Sequence, residues 1–373
     1  MMNDMRGTMS SDKQLRSALA LILELVTIWA CLACLIATPA LARESATQLV
    51  ERALKVQAGL GFSGQVRQDF ATARAFSAEA RVEFQDARHY KVVGLSPEHM
   101  RGVTLWLDMP KVGGYWPKDQ LLVTGNAASA YVMSPFVYQI LNWKDLNEGW
   151  EVRDMGAVDI VALTPARKIA LYPRSRSVPF RYIWIDAQTG LVIKEERYLP
   201  GSTVPYFRSS FKRVHYPEPR KAELQVVPAA FDIPEGARHL KMPGASGNRV
   251  ASYATVREAV AATKVAIREP AYLPPGFKVK SVWVAYLLGR PISVITYLDG
   301  LNILFVGDRP TIGGLIRFMG NWFSSGLIDK VFELRDYLPL FLHEREVKDR
   351  TYSVAGDLPP AELERIYQSL GVK

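Results

Sequence analysis

The sequence predicts an α+β protein built mostly from antiparallel sheet, and three observations carry that prediction. Runs between residues 62 and 216 alternate apolar and polar residues, with turn residues between the runs, which is the period-two signature of half-buried strands. Helical spacing is confined to short stretches near 45–58, 134–143 and 252–267 and to the last residues of the chain. Residues 238–251, "RHLKMPGASGNRVA", lack periodicity and hold Pro, Gly, Ser and Asn, so they read as a linker between a longer first region and a shorter second one.

Taken in order, "SATQLVERALKVQA" at 45–58 is a helix stopped by Gly59 and Gly61. "FSGQVRQDF", "AFSAEARVEFQ" and "RHYKVVGL" follow as strands. Ser134 as a cap and Pro135 in the first turn predict a short helix near 134–143. The clearest hairpin is 180–198, "FRYIWIDAQTGLVIKEERY": Phe180, Tyr182 and Trp184 share one face, and Leu191 and Ile193 alternate with Val192 and Lys194. Asp186 opens its loop, and Gly190 closes it with an expected positive φ. "PYFRSSFKRVHY" continues the alternation, so the region reads as a curved antiparallel sheet. Past the linker, "SYATVREAVAATKVAI" is a helix capped by Ser252 or Thr255. In "AYLPPGFKV", Pro275 presets φ and Gly276 accepts the positive φ of a type II turn, with Phe277 anchoring the next strand. Strands "KVKSVWVAYLL", "ISVITYL" and "LNILFVGD" come next. "TYSVAGDLPPAELERIYQSLGV" ends the chain as strand, turn and helix.

The first 42 residues are expected to be a secretory signal peptide. Arg6, Lys13 and Arg16 precede an apolar run that ends in Ala40-Leu41-Ala42, which places cleavage after Ala42 and the mature chain in the periplasm. Cys31 and Cys34 both lie in that segment, so the mature chain would hold no disulfide or thiolate site. Asp4, Asp12 and Glu24 balance its three basic residues, so the formal net charge of +9 belongs to residues 43–373. A basic exported protein can meet anionic lipid headgroups or an acidic partner; nucleic acid is not expected there.

The search for chemistry returns little. His89, His99, His215, His239 and His343 show no metal-binding spacing, and no nucleophile elbow or phosphate loop occurs. Glu195 and Glu196 on a strand point to opposite faces, and Asp145 with Glu148 sits in a polar stretch. Both pairs read as solvated charge. No catalytic residue, metal or cofactor is therefore expected. Aromatic residues are the stronger signal. Most fit a large core under one sheet face; the alternative is an apolar cavity lined by Trp106, Trp116, Phe136, Trp143, Trp184 and Phe211. In 311–342, Phe318, Trp322 and Phe323 at helical spacing fit either a buried helix pair or a surface for a partner or membrane.

Several stretches, in order, resemble the periplasmic RseB/MucB family: "FSGQV", "YIWIDAQTGLVIKEERY", "FDIPEGA", "EPAYLPPGFKV", "ITYLDGLNILFV" and "VAGDLPPAELERI". The first half also resembles lipoprotein carriers of the LolA/LolB type. One departure is the long apolar stretch at 309–345, where the family has a shorter connection. The resemblance implies a LolA-like antiparallel β half-barrel packed on helices at 43–237, which could hold a lipid or lipoprotein acyl chain. It implies a smaller α+β domain at 252–373 that cooperates in binding the periplasmic part of an anti-sigma factor. The expected function is a non-enzymatic sensor in an envelope-stress pathway; the alternative is a LolA/LolB-like carrier of lipid or lipoprotein.

Overall fold

A computed structural model describes residues 44–71, 75–86, 88–126, 143–175, 177–216, 235–241, 251–287, 290–311 and 340–372. The expected signal peptide, the helical stretch at 134–142, residues 312–339 with Phe318, Trp322 and Phe323, and Phe136 lie outside the described residues. From Ala46 onward the chain forms one compact unit carrying two sheets.

The first sheet contains β1 (Phe62–Phe70), β2 (Phe76–Asp86), β3 (His89–Ser96), β4 (Thr104–Asp108), β5 (Lys111–Trp116), β6 (Leu121–Asn126), β7 (Trp150–Val161), β8 (Thr164–Pro173), β9 (Phe180–Asp186), β10 (Val192–Tyr198), β11 (Phe207–His215) and β12 (Arg238–Lys241). Across the sheet the order is β12-β6-β5-β4-β3-β2-β1-β11-β10-β9-β8-β7. The order starts at β12 and stops at β7, so the sheet is not closed into a barrel. Only β12 runs parallel to its neighbour, β6. That strand occupies the start of the expected linker, so residues 238–241 are paired backbone and not a free connection.

The second sheet contains β13 (Ala251–Tyr253), β14 (Lys278–Leu287), β15 (Arg290–Leu298), β16 (Ile303–Pro310), β17 (Phe341–Val347) and β18 (Arg350–Gly356), in the antiparallel order β13-β14-β15-β16-β18-β17. Among the described residues four α-helices accompany the sheets: α1 (Ala46–Gly59), α2 (Trp143–Gly149), α3 (Val256–Thr263) and α4 (Pro360–Gln368). The helix expected over 252–267 is shorter than its periodicity, because Ser252 is in β13 and Lys264 turns left-handed at φ 60°. Thr255 is the cap, its side chain accepting from the Glu258 N–H at 3.2 Å. Asp145 and Glu148 belong to α2, not to a loop, and Glu148 pairs with Lys278 of β14 at 2.7 Å.

The two expected turns form as their chemistry requires. Gly276 has φ +99°, and the Phe277 N–H closes the turn on the Pro274 carbonyl at 3.4 Å. Phe277 enters the core. In the β9–β10 hairpin, Asp186 Oδ1 accepts from the Gln188 N–H at 2.8 Å and Asp186 Oδ2 from the Thr189 hydroxyl at 2.6 Å, while Gly190 has φ +84°. Arg52 of α1 donates to the Ala187 and Gln188 carbonyls at 3.2 Å, which docks the helix on the loop.

Alternation along the strands gathers most of the first sheet's core on one face, in two clusters. On that face α1 presents Leu49, Val50 and Ala53, the i, i+1, i+4 stripe of an amphipathic helix, to Ile169, Leu171, Ile183 and Ile185. This cluster is continuous with Val282, Ile295 and Leu304 of the second sheet and Leu363 and Ile366 of α4. Farther along the same face, on β1 to β5, Phe62, Val66, Val82, Phe84, Val92, Leu105, Leu107 and Trp116 form a second cluster. Each such side chain taken from water contributes roughly 1.5–3 kcal/mol.

A buried ion network joins the sheets. Arg181 of β9 donates to Glu195 Oε1 at 2.8 Å, to the Leu301 carbonyl at 3.2 Å, and to the Asn302 side chain and Asp357. Arg197 donates to Glu195 Oε1 and to Asp357 Oδ2, each at 2.8 Å, and the Tyr206 hydroxyl donates to Asp357. Asp299 shapes the receiving loop by accepting from the Leu301 and Asn302 N–H groups at 3.0 and 2.7 Å. Glu195 is thus fully buried and paired, which corrects the expectation of solvated charge. Glu196 is buried as well, on the opposite face. The alternation argument placed these two carboxylates correctly but was blind to what lies above each face.

Candidate ligand-binding face

The candidate site lies on the face of β8, β9 and β10 that turns away from the ion network. Pairing register sets its members. Lys168 stands opposite Trp184 and Ala170 opposite Tyr182; Lys194 stands opposite Trp184, Glu196 opposite Tyr182 and Tyr198 opposite Phe180. Directly paired residues share a face, so two strands of alternating aromatics and their neighbours build one continuous strip.

Its rings pack in close contact. Phe180 stacks on Tyr198 with centroids 4.9 Å apart, and Tyr182 meets Tyr198 edge-on at 5.4 Å. Tyr172 reaches Phe180 at 5.6 Å, and Tyr182 reaches Trp184 at 6.4 Å. Two ammonium groups lie over these rings: Lys168 Nζ is 4.3 Å from the Tyr182 centroid, and Lys194 Nζ is 3.9 Å from the Trp184 centroid. Both are cation–π distances. Tyr172, Phe180, Tyr182 and Tyr198 are half-buried, while Trp184 is buried and its indole N–H donates to Asp159.

Electrostatics hold the strip in one protonation state. Burial acts to raise Glu196, but hydrogen bonds from Tyr198, Lys194 and Arg208 outweigh it and keep the carboxyl below its ordinary range. The Tyr172 hydrogen bond, with burial behind it, pushes Tyr182 up to about 12. Burial and Glu196 raise Tyr198 further. At neutral pH the strip therefore offers neutral phenols, one carboxylate and two ammonium groups beside apolar rings. Such a surface can hold an apolar chain with a polar end. Among the described residues, no three His, Cys, Asp or Glu side chains gather as a metal site.

Of the residues expected to line a cavity, Trp184 is on this face, whereas Phe211 and Trp116 lie on the ion-network face by their register with Val66 and Leu105, although all three belong to or pack against one core cluster. Phe211 meets Phe62 edge-on at 5.6 Å. Trp116 and Trp184 are closely covered, so each lies in filled core. Trp106 is on the face opposite to Trp116 and Phe211: it alternates with Leu105 and Leu107 and stands opposite Lys91, which pairs with Glu83 at 2.7 Å. Hydrophobicity made Trp106 look equivalent to its neighbours; the period-two pleat separates it. Trp143 opens α2, and its side chain is outside the described residues.

Sequence reasoning missed Tyr172, Tyr198, Lys168 and Lys194 as members of the strip. Simple alternation put Ile193 and Lys194 on different faces. A bulge between Val192 and Lys194 shifts the register there and sets Lys194 against Trp184, because the extra residue breaks the strict period. Lys168 lies two residues from Ala166 and from Ala170 on one strand face, a signal that becomes visible only once β8 is paired with β9.

Comparison with known proteins gives the fold. No protein-family model matches the chain, and no curated protein matches it in sequence. Solved structures do. A structure of the Pseudomonas aeruginosa MucA/MucB complex matches with TM-score 0.51 and 14% identity, over 86% of this chain and 96% of the matched chain. A crystal structure of MucB matches with TM-score 0.52 and 14% identity, over 87% and 96%. MucB in complex with MucA(peri) matches with TM-score 0.50 and 15% identity, over 87% and 98%. In its fold, through both sheets, this chain is of the RseB/MucB type.

Proposed function

We propose that the protein is an exported, non-enzymatic binding protein of the RseB/MucB type. It recognises an acyl chain or lipoprotein on the aromatic strip and the periplasmic part of an anti-sigma factor as its protein partner. The observation that carries this reading is that likeness to MucB extends over both sheets and nearly the whole matched chain. A carrier built from the first sheet alone would leave the second sheet and its ion network without a role, which favours a two-part sensor over the LolA/LolB-like alternative. The strip supports the lipid half of the proposal, since half-exposed rings with two ammonium groups suit an amphiphile with an anionic end.

Co-purification from envelope extract tests the partner half. A tagged chain should retain a membrane protein encoded beside a sigma factor; retention of outer-membrane lipoproteins alone would replace the sensor reading with the carrier. Native mass spectrometry tests the ligand half, and protein that is always free of acyl species would end it.

A further inference from the structure

The β7–β8 hairpin carries features that neither the ion network nor the strip uses. β7 is the last strand in the order of its sheet, so no described strand pairs with its far side. Exposed edges present unpaired backbone groups to any extended chain. Most of this edge is guarded. Between Asp154 and Val158 the register breaks, Gly156 takes φ +71°, and its N–H bonds back to Asp154 Oδ1 at 2.8 Å, a bulge of the kind that turns an edge away from pairing. Beyond it, Val158–Val161 pairs regularly with Thr164–Arg167 of β8.

That regular stretch is apolar where it should be polar. Val158 is 55% exposed and Ile160 is 68% exposed, on one face, while Asp159 between them lies on the other. The connecting turn is costly. Ala162 and Leu163 have φ 50° and 65°, the two left-handed positions of a type I′ turn, which Asn-Gly fills without strain. Leu163 there is 91% exposed, so it packs against nothing that would compensate it.

We propose that the β7 edge at Val158–Val161 docks an extended segment of a partner protein whose residues alternate apolar and basic. The edge supplies backbone hydrogen bonds, as in strand addition. Val158 and Ile160 take the partner's apolar side chains, and Asp159 on the opposite face selects a basic residue across from it. Leu163 adds a third aliphatic contact at the end of the hairpin. A second copy of this chain is a poorer occupant, because antiparallel self-pairing centred on this stretch sets Asp159 against itself, and like charges directly opposite repel. An anionic bilayer is also poorer, since Asp154 and Asp159 flank the aliphatic side chains.

Fluorescence anisotropy with the full mature chain tests this, using a labelled peptide with a Val-Lys-Val-Lys-Val core. It should bind at least about ten-fold more tightly than a Val-Asp-Val-Asp-Val core, a margin of about one tenfold step in Kd. Asp159→Asn should erase that preference. Val158→Ser with Ile160→Ser should weaken binding about ten-fold while circular dichroism is unchanged. Ala162→Asn with Leu163→Gly should raise the melting temperature yet weaken the peptide, which separates docking from folding. Equal binding of the two peptides, or binding untouched by the double serine variant, overturns the proposal. So does a double serine variant that instead converts a dimer to a monomer, or that only loses binding to phosphatidylglycerol vesicles; those results give the surface to a second copy or to a bilayer.

Discussion

The two faces of the β9–β10 hairpin do opposite things with similar residues. One face sets Arg181, Glu195 and Arg197 against Asp357 and Asn302 of the second sheet's loops, buried and densely hydrogen-bonded. The other sets Lys194, Glu196 and Tyr198 among half-exposed rings. Charge in the first case is locked between two sheets. In the second it borders solvent and is free to meet a ligand. Neighbouring carboxylates, Glu195 and Glu196, thus have separate jobs set only by which way the pleat turns them.

Breaking the buried face should have the largest effect. Arg181→Ala leaves two buried carboxylates, Glu195 and Asp357, to share the single cation Arg197, and removing one member of a buried pair costs about 3–5 kcal/mol. Urea denaturation checks this; a loss under about 1 kcal/mol would mean that apolar packing alone joins the sheets. Tyr198→Ser, on the open face, removes a stacked ring that is only half-buried, and should cost about 1–2 kcal/mol. Its larger consequence should be reduced retention of acyl species in native mass spectra.

Lys168→Ala combined with Lys194→Ala should be milder still. Each cation–π contact contributes about 0.5–1 kcal/mol when partly exposed, so the fold should hold while binding of anionic amphiphiles falls. Unchanged binding would remove the lysines from the site. The smallest effect concerns pH. Glu196 has a depressed folded-state pKa, so its contribution is present above the unfolded value and fades as pH drops through the folded one. Glu196→Gln should flatten the stability profile between about pH 5 and 3, lowering stability modestly at neutral pH and matching the parent at the acid end. An identical slope in the variant would place the acid sensitivity elsewhere.

Much of the architecture was legible along the chain because its causes are local. Gly276 and Gly190 sit where backbone sterics demand positive φ, and Thr255 caps α3 with its own hydroxyl. Alternation located β1 to β3 and β9 to β11 of the first sheet and β14 to β16 and β18 of the second, and separated Glu195 from Glu196; β4 to β8, β12, β13 and β17 were not read from it. The aromatic strip was half visible: Tyr182 and Trp184 stood out, but Tyr172, Lys168 and Tyr198 join them only through cross-strand register. Trp106 parts from Trp116 and Phe211 for the same reason. Parallel pairing of β12 with β6 was hidden too, since nothing in "RHLK" announces a partner more than a hundred residues earlier.

By itself, then, the sequence determined the class of fold, the turns and the side of the pleat each residue takes, because these follow from backbone sterics and a period of two. Only the tertiary structure decided what covers each face. Burial of Glu195 depends on Asp357, distant in sequence, arriving opposite Arg181 and Arg197, and exposure of Ile160 depends on β7 having no neighbour in its sheet. Both are properties of how distant segments meet, and no local pattern encodes them.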